Sequence, residues 1–175
     1  IWSVQGSWRG WFGRYLHWEP RTYDAARAFG RRGMGAPTMR ELPSIMAAAL
    51  VEELALERAA VWLWQPEGGR YQLAAETGVT GSPLPPQLDG PPRGLWARAI
   101  RTQPADRTPA WLRPLAAAGT EVAVPLVAGG QPIGLLGLGR RWDEEIFDDR
   151  DLAVAELVGQ QATLFLQASL QVEEL

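Results

Sequence analysis

The 175-residue chain contains no cysteine. That excludes disulfides, thiolate zinc sites, iron–sulfur clusters and a cysteine nucleophile. Lysine is absent as well, so all 17 basic residues are arginine. No Schiff-base or Walker-loop lysine is therefore available. There is no asparagine. The single histidine, His17, is too few for a multi-histidine metal site or a histidine-based triad within one chain. No apolar run reaches the roughly 18 to 20 residues of a membrane span. A net charge of -3 excludes a strongly basic nucleic-acid binder as a description of the whole chain. What is present is ordinary for one globular domain: 46% hydrophobic and 21% charged residues. The first residue is Ile1, so the chain reads as a piece of a longer protein.

Charge divides unevenly along the chain. Residues 1–41 carry seven arginines against Glu19, Asp24 and Glu41, a net of +4. Residues 42–175 carry ten arginines against 17 acids, a net of -7. The first segment is also rich in Trp, Tyr and Phe, and Gly30 to Pro37 reads as a connector. We divide the chain into a Trp/Arg-rich arm or juxtamembrane linker, residues 1–37, and a domain, residues 38–175. Three readings of residues 1–35 stay open: an irregular arm packed on protein, a membrane-proximal segment, or a single-strand nucleic-acid contact. Of these, nucleic acid is the least expected partner.

Residues 38–56 read as a helix. Thr38 and Glu41 have capping-box spacing, while Pro43 argues for a start one or two residues later. Arg58–Trp64 and Arg70–Glu76 flank a Pro-Glu-Gly-Gly turn as a hairpin. Residues 77–94 read as loop, Leu95–Arg101 as a short helix, and Pro109–Ala118 as another. Glu121–Val127 and Pro132–Leu138 form a second hairpin around Ala128-Gly-Gly130. A long helix follows from Asp149, with Asp148 as its cap and Asp151 three residues on. Its polar stripe is narrow: Glu156, Gln160, Thr163, Gln167, Gln171 and Glu174. The rest of its circumference is apolar, so it needs cover on two sides, one from a sheet and one from a partner. Two hairpins separated by helical segments, between terminal helices, imply an α+β domain with an antiparallel sheet.

In this order the segments resemble a GAF domain, a small-molecule sensor module of signalling proteins. The resemblance rests on Leu42–Leu54, Arg58–Trp64, Leu73–Gly78, Val124-Pro-Leu126 with Gln131–Leu138, and Phe147–Leu152 with Leu157–Ala162. It covers residues 38–175 and is strongest toward bacterial sensor histidine kinases. It implies a PAS-related, six-stranded antiparallel sheet flanked by helices, with a ligand pocket on one face and a relay through long terminal helices. The implied role is a non-catalytic regulatory domain of a two-component protein, cytoplasmic and either free or tethered to a membrane through its parent; the alternative is a purely structural dimerisation module. Cyclic-nucleotide-binding members carry an Asn and a Lys that this chain lacks, and Leu152 follows Asp151 where they have Glu. Bilin attachment and the sulfoxide reductases of this fold need cysteine, and His17 lies outside the matching region. No cofactor is therefore expected, neither covalent bilin nor haem.

Trp62, Trp64, Trp96 and Trp111 fall where they would surround such a pocket, either as its lining or as plain core. Arg93 and Arg113, with Arg98, would meet an anionic ligand, or lie on the surface. Ile45, Leu50, Leu157, Leu164, Phe165 and Ala168 are candidates for a homodimer interface in which terminal helices of two chains form a four-helix bundle. Gly134-Leu-Leu-Gly137-Leu-Gly139 has the wrong order for a dinucleotide loop and reads as close packing within a strand. The acids from Asp143 to Asp151 read as a solvated loop at a helix N-terminus, where the dipole favours them, rather than as a metal site.

Overall fold

The computed structural model describes residues 40–78, 81–91, 96 and 98–173. Thr38 with its expected cap, Arg93 and the Trp/Arg-rich arm lie outside the described residues. The elements run α1 (Leu42–Glu53), β1 (Arg58–Gln65), β2 (Arg70–Gly78), β3 (Gln87–Asp89), β4 (Ile100–Arg101), α2 (Arg113–Ala117), β5 (Val122–Ala128), β6 (Gln131–Leu138) and α3 (Asp149–Glu173). The strands pair antiparallel in one six-stranded sheet, in the order β3-β2-β1-β6-β5-β4. β1, β6 and β5 occupy the centre because their apolar runs suit burial on both faces. The β5–β6 hairpin closes through Gly129 and Gly130, at φ 57° and 74°. Two successive positive φ angles match the twist of the flanking strands, and glycine adopts them without strain.

The sheet's two faces are covered differently. On one lie Val61, Leu136, Val122, Val124, Leu126 and Leu138, all buried. α1 packs over β1 and β2, and α3 over β5 and β6. Gly159 sits at the α3 crossing, where a Cβ would stand 2.7 Å from Val124 Cγ1 and 3.2 Å from the Pro125 carbonyl oxygen. The other face carries Ala60, Trp62, Tyr71, Ala123 and Leu135, which cluster with Leu84, Leu88, Leu112 and Leu115 from the short connecting elements. Among the described side chains none of α1 or α3 belongs to that cluster, and both helices pack on the first face.

α1 begins at Leu42, which puts Pro43 in the donor-free first turn and removes its conflict with a helix start. α3 begins with a reciprocal box. The Asp151 amide donates to Asp148 Oδ1, and the Asp148 amide to Asp151 Oδ2, both at 2.8 Å. The Asp151 amide holds the exposed Asp148 carboxyl below the usual carboxylate range, whereas burial pushes Asp151 up.

Four expectations need correction. Residues 77–94 are not all loop: β2 runs on to Gly78, and Gln87–Asp89 forms β3 against β2, opposite Tyr71. The short helix expected over Leu95–Arg101 does not hold at its described end, because Ile100 and Arg101 pair with Ala123 and Val122 as an edge strand and the Ala99 amide is held elsewhere. Thr163 is not on an exposed stripe; it is buried and donates to the Gly159 carbonyl at 2.8 Å. Leu50 is only 6% exposed and belongs to the chain's own core, since α1 turns that side toward β1 and β2.

Candidate functional site

The pocket is built from the end of β1 upward. Trp62 and Trp64, two positions apart, point to the same face of the sheet. Trp62 is fully buried and its Nε1 donates to the Pro85 carbonyl at 3.0 Å. Gly137 leaves it room, since a Cβ there would come within 2.7 Å of its ring. Trp62 is thus the floor of this face rather than pocket lining. Trp64 stands opposite Tyr71 in the β1–β2 register, and their rings meet edge-on at 4.8 Å. Tyr71 stacks in turn with Trp111 at 6.3 Å, and Trp111 meets Trp96 edge-on at 5.0 Å.

Against this chain of rings lies a pocket of about 300 Å³. Its lining is Trp64, Tyr71, Pro91, Trp96, Gly130, Gln131 and Pro132. Gly90 passes directly over Trp64, where a Cβ would lie 2.9 Å from the ring. Burial pushes the Tyr71 phenol up to about 12, so it stays protonated. Trp96 Nε1 is buried with no hydrogen-bond partner. No charged side chain is among the described lining residues.

The sequence candidates are therefore sorted. Trp64 and Trp96 line the pocket, Trp111 backs it, and Trp62 lies in the core. Arg113 stands apart at the first residue of α2, where its Nε donates to the Thr108 carbonyl at 3.4 Å. Arg98 is exposed. Tyr71, Pro91, Gln131 and Pro132 were not anticipated. Counting outward from the Pro66–Gly69 turn pairs Trp64 with Tyr71, and that register was the available signal for one of them.

Three hydrogen bonds tie the pocket side to α3 and the residues just before it. The Ala99 amide, three residues beyond Trp96, donates to Glu156 Oε1 of α3 at 3.0 Å. Arg101 donates to the Phe147 carbonyl at 2.9 Å and to Asp149 Oδ1 at 2.7 Å. Asp143, Glu144 and Asp151 are also engaged by arginines. Arg141, itself buried, reaches Asp143 at 2.7 Å and Asp151 at 3.6 Å, and Arg140 reaches Glu144 at 2.6 Å. Among the described residues no group of His, Cys, Asp and Glu side chains could hold a metal ion. Gly134 and Gly137 lie inside β6 against Trp62, as close packing rather than a phosphate loop.

On the helix face, Ile45, Leu157 and Leu164 are 52%, 42% and 56% exposed, and Ala168 is exposed too. The Phe165 side chain lies outside the described set. No helix among the described residues is long and apolar enough to cross a membrane.

Comparisons with known proteins agree with this architecture. No curated protein matches the chain. Among solved structures, the free methionine-R-sulfoxide reductase from Neisseria meningitidis, in complex with its substrate, is 19% identical, covering 78% of this chain and 82% of its own, with a TM-score of 0.59. A GAF domain/HD domain protein from Geobacter sulfurreducens is 18% identical over 77% of this chain and 95% of its own, TM-score 0.56. A domain described as part of a two-component sensor histidine kinase from Sinorhizobium meliloti is 20% identical over 74% of this chain and 91% of its own, TM-score 0.53. These likenesses show the fold. Residues 36–167 match the sequence model of the GAF domain, and the chain belongs to that family.

Proposed function

We propose that this domain is a regulatory sensor that takes a small molecule into the aromatic pocket and passes the change to α3, with no chemical step of its own. The observation that carries the reading is the path from pocket to helix. Trp96 forms a pocket wall, and three residues later the Ala99 amide is held by Glu156 of α3. A ligand that moves Trp96 moves the anchor point of that bond, and so favours one placement of α3 over another. The parent would be a signalling protein, such as a cytoplasmic or membrane-tethered histidine kinase.

A second copy of the chain is the expected cover for the exposed residues of α1 and α3. Leu157 and Leu164 are seven residues apart, so they recur on one side of α3 as a bundle seam does. The purely structural alternative is less well supported, because the four-ring cluster leaves a pocket of about 300 Å³.

Native mass spectrometry of the chain purified without denaturation tests the ligand half. An adduct that is present in the unmodified protein and lost in Trp64→Ala supports a sensor. The bare mass in both, from every host and medium tried, supports the structural module.

A further inference from the structure

The pairing of two copies through α3, on which this inference rests, can be given a direction and a register. We propose that a second copy of this chain docks antiparallel along the outer side of α3, about a two-fold axis passing between Gln160 and Gln161.

Burial divides α3 into two sides. Ala155, Val158, Ala162 and Leu166 are buried against the chain's own sheet, while Ala153, Leu157, Gln160, Gln161, Leu164 and Ala168 are exposed. The exposed side reads the same in both directions: Ala, Leu, Gln, then Gln, Leu, Ala, at spacings of 4, 3, 1, 3 and 4 residues. A two-fold axis across the helix therefore sets each residue level with one of its own kind in the partner: Leu157 with Leu164, Ala153 with Ala168, Gln160 with Gln161. The leucines form apolar layers, and the small alanines let the helices approach on either side of them. A glutamine amide carries both donors and an acceptor, so the amides nearest the axis can satisfy one another. A slip of one turn would set glutamine against leucine, so the polar pair fixes the register. A surface built for an unrelated protein has no need of this symmetry.

Charge sets the direction. Parallel pairing also stacks the leucines, but it holds the two N-terminal ends of α3 side by side, at the roughly 8 to 10 Å of packed helices. Residues 139–151 carry six acids against three arginines, a net of -3, so two such segments repel at that distance. The exposed Arg150 would face its own copy as well. Antiparallel pairing separates the two Asp149 positions by about 35 Å along the axis, several screening lengths. Each Arg150 then falls level with positions 170–173 of the partner, which hold one acid, Glu173, and no base. The two helix dipoles are opposed, which is the favourable arrangement.

A chain without cysteine allows an unambiguous test in its full 175-residue form. Ala153→Cys and Ala168→Cys are made separately, and thermal melts check that each folds. Sedimentation equilibrium at tens of micromolar should find a dimer for the unmodified chain and for both reduced variants. After subunit exchange and oxidation, an equimolar mixture should give a disulfide-linked dimer whose joined peptides contain residues 153 and 168. Either variant alone should give almost none, because its cysteines lie too far apart to bridge. A nitroxide on either variant should sit about 25 Å from its counterpart by electron–electron double resonance, against about 10 Å in a parallel pair. Either label suffices, so the distance does not depend on both variants folding.

Efficient linkage within one variant alone, with labels near 10 Å, would overturn the proposal and leave the dimer standing. A dimer that links in no combination, with labels at neither distance, would put the interface elsewhere than α3 and also overturn it. A monomeric unmodified chain would end both this proposal and the second-copy reading, while the pocket's sensor role is tested separately.

Discussion

The two faces of one sheet do different work in this protein. On the first, aliphatic side chains of β1, β5 and β6 meet two longer helices, α1 with 12 residues and α3 with 25. Branched aliphatic chains interdigitate to nearly crystalline density, and the close approach at Gly159 leaves no room for another atom. On the second, aromatic rings meet short elements: β3 with three residues, β4 with two and α2 with five. Rings in edge-on contact at 4.8 and 5.0 Å leave wedges between them, and short elements cannot close over every wedge. The same strands thus supply a well-filled core on one side and a pocket on the other. Stability concentrates where long elements cover the sheet, and binding capacity where they do not.

The contrast can be tested by mutation, beginning with the largest effect. Leu136→Ala, fully buried under the helices, should cost about 3 kcal/mol in urea unfolding. Trp64→Ala, half-buried at the pocket, removes a larger side chain yet should cost only about 1 to 2 kcal/mol. Equal losses would erase the distinction between the faces.

A further effect should follow pH at the pocket face. The Tyr71 phenol ionises near 10.0 when unfolded and near 12 when buried in the fold. Between those values the unfolded chain binds fewer protons than the folded one, so stability falls as pH rises. Urea midpoints across that window should drop in the unmodified chain and drop less in Tyr71→Phe. An equal drop in both would mean that Tyr71 is not the group responsible.

The smallest effect on stability should come from the outer side of α3. Leu157→Glu combined with Leu164→Glu should change the unfolding free energy of the monomer, measured at a concentration too low for pairing, by no more than about 0.5 kcal/mol. The same pair should shift sedimentation equilibrium from dimer toward monomer. A monomeric unmodified chain at tens of micromolar would show that no second copy covers this surface.

The sequence made the helix face legible and the pocket face only partly so. β1, β5 and β6 have long apolar runs, and Gly129-Gly130 marks a turn that few other residue pairs could form. β3 and β4 left no such trace, because two or three residues are too few for a period and both exist through pairing with β2 and β5. The glutamate at position 156 was legible as polar, but its partner, the amide of Ala99, lies 57 residues away. Thr163 misled for a related reason: a hydroxyl that bonds its own helix at Gly159 can be buried as readily as a methyl group. The tryptophans were found as a set, but which of them lines a cavity depends on ring packing that one-dimensional spacing does not encode.

Amide hydrogen exchange along α3 tests the pocket-to-helix path most directly. It needs four proteins: the unmodified chain, Trp96→Ala, Glu156→Ala and the double variant. If the Ala99–Glu156 bond carries the coupling, Trp96→Ala speeds exchange at the Ala99 amide and around Glu156 in the unmodified background. In the Glu156→Ala background it then adds nothing further on α3, because the bond it acts through is already gone. An α3 untouched by Trp96→Ala, or the same increment in both backgrounds, would contradict the path.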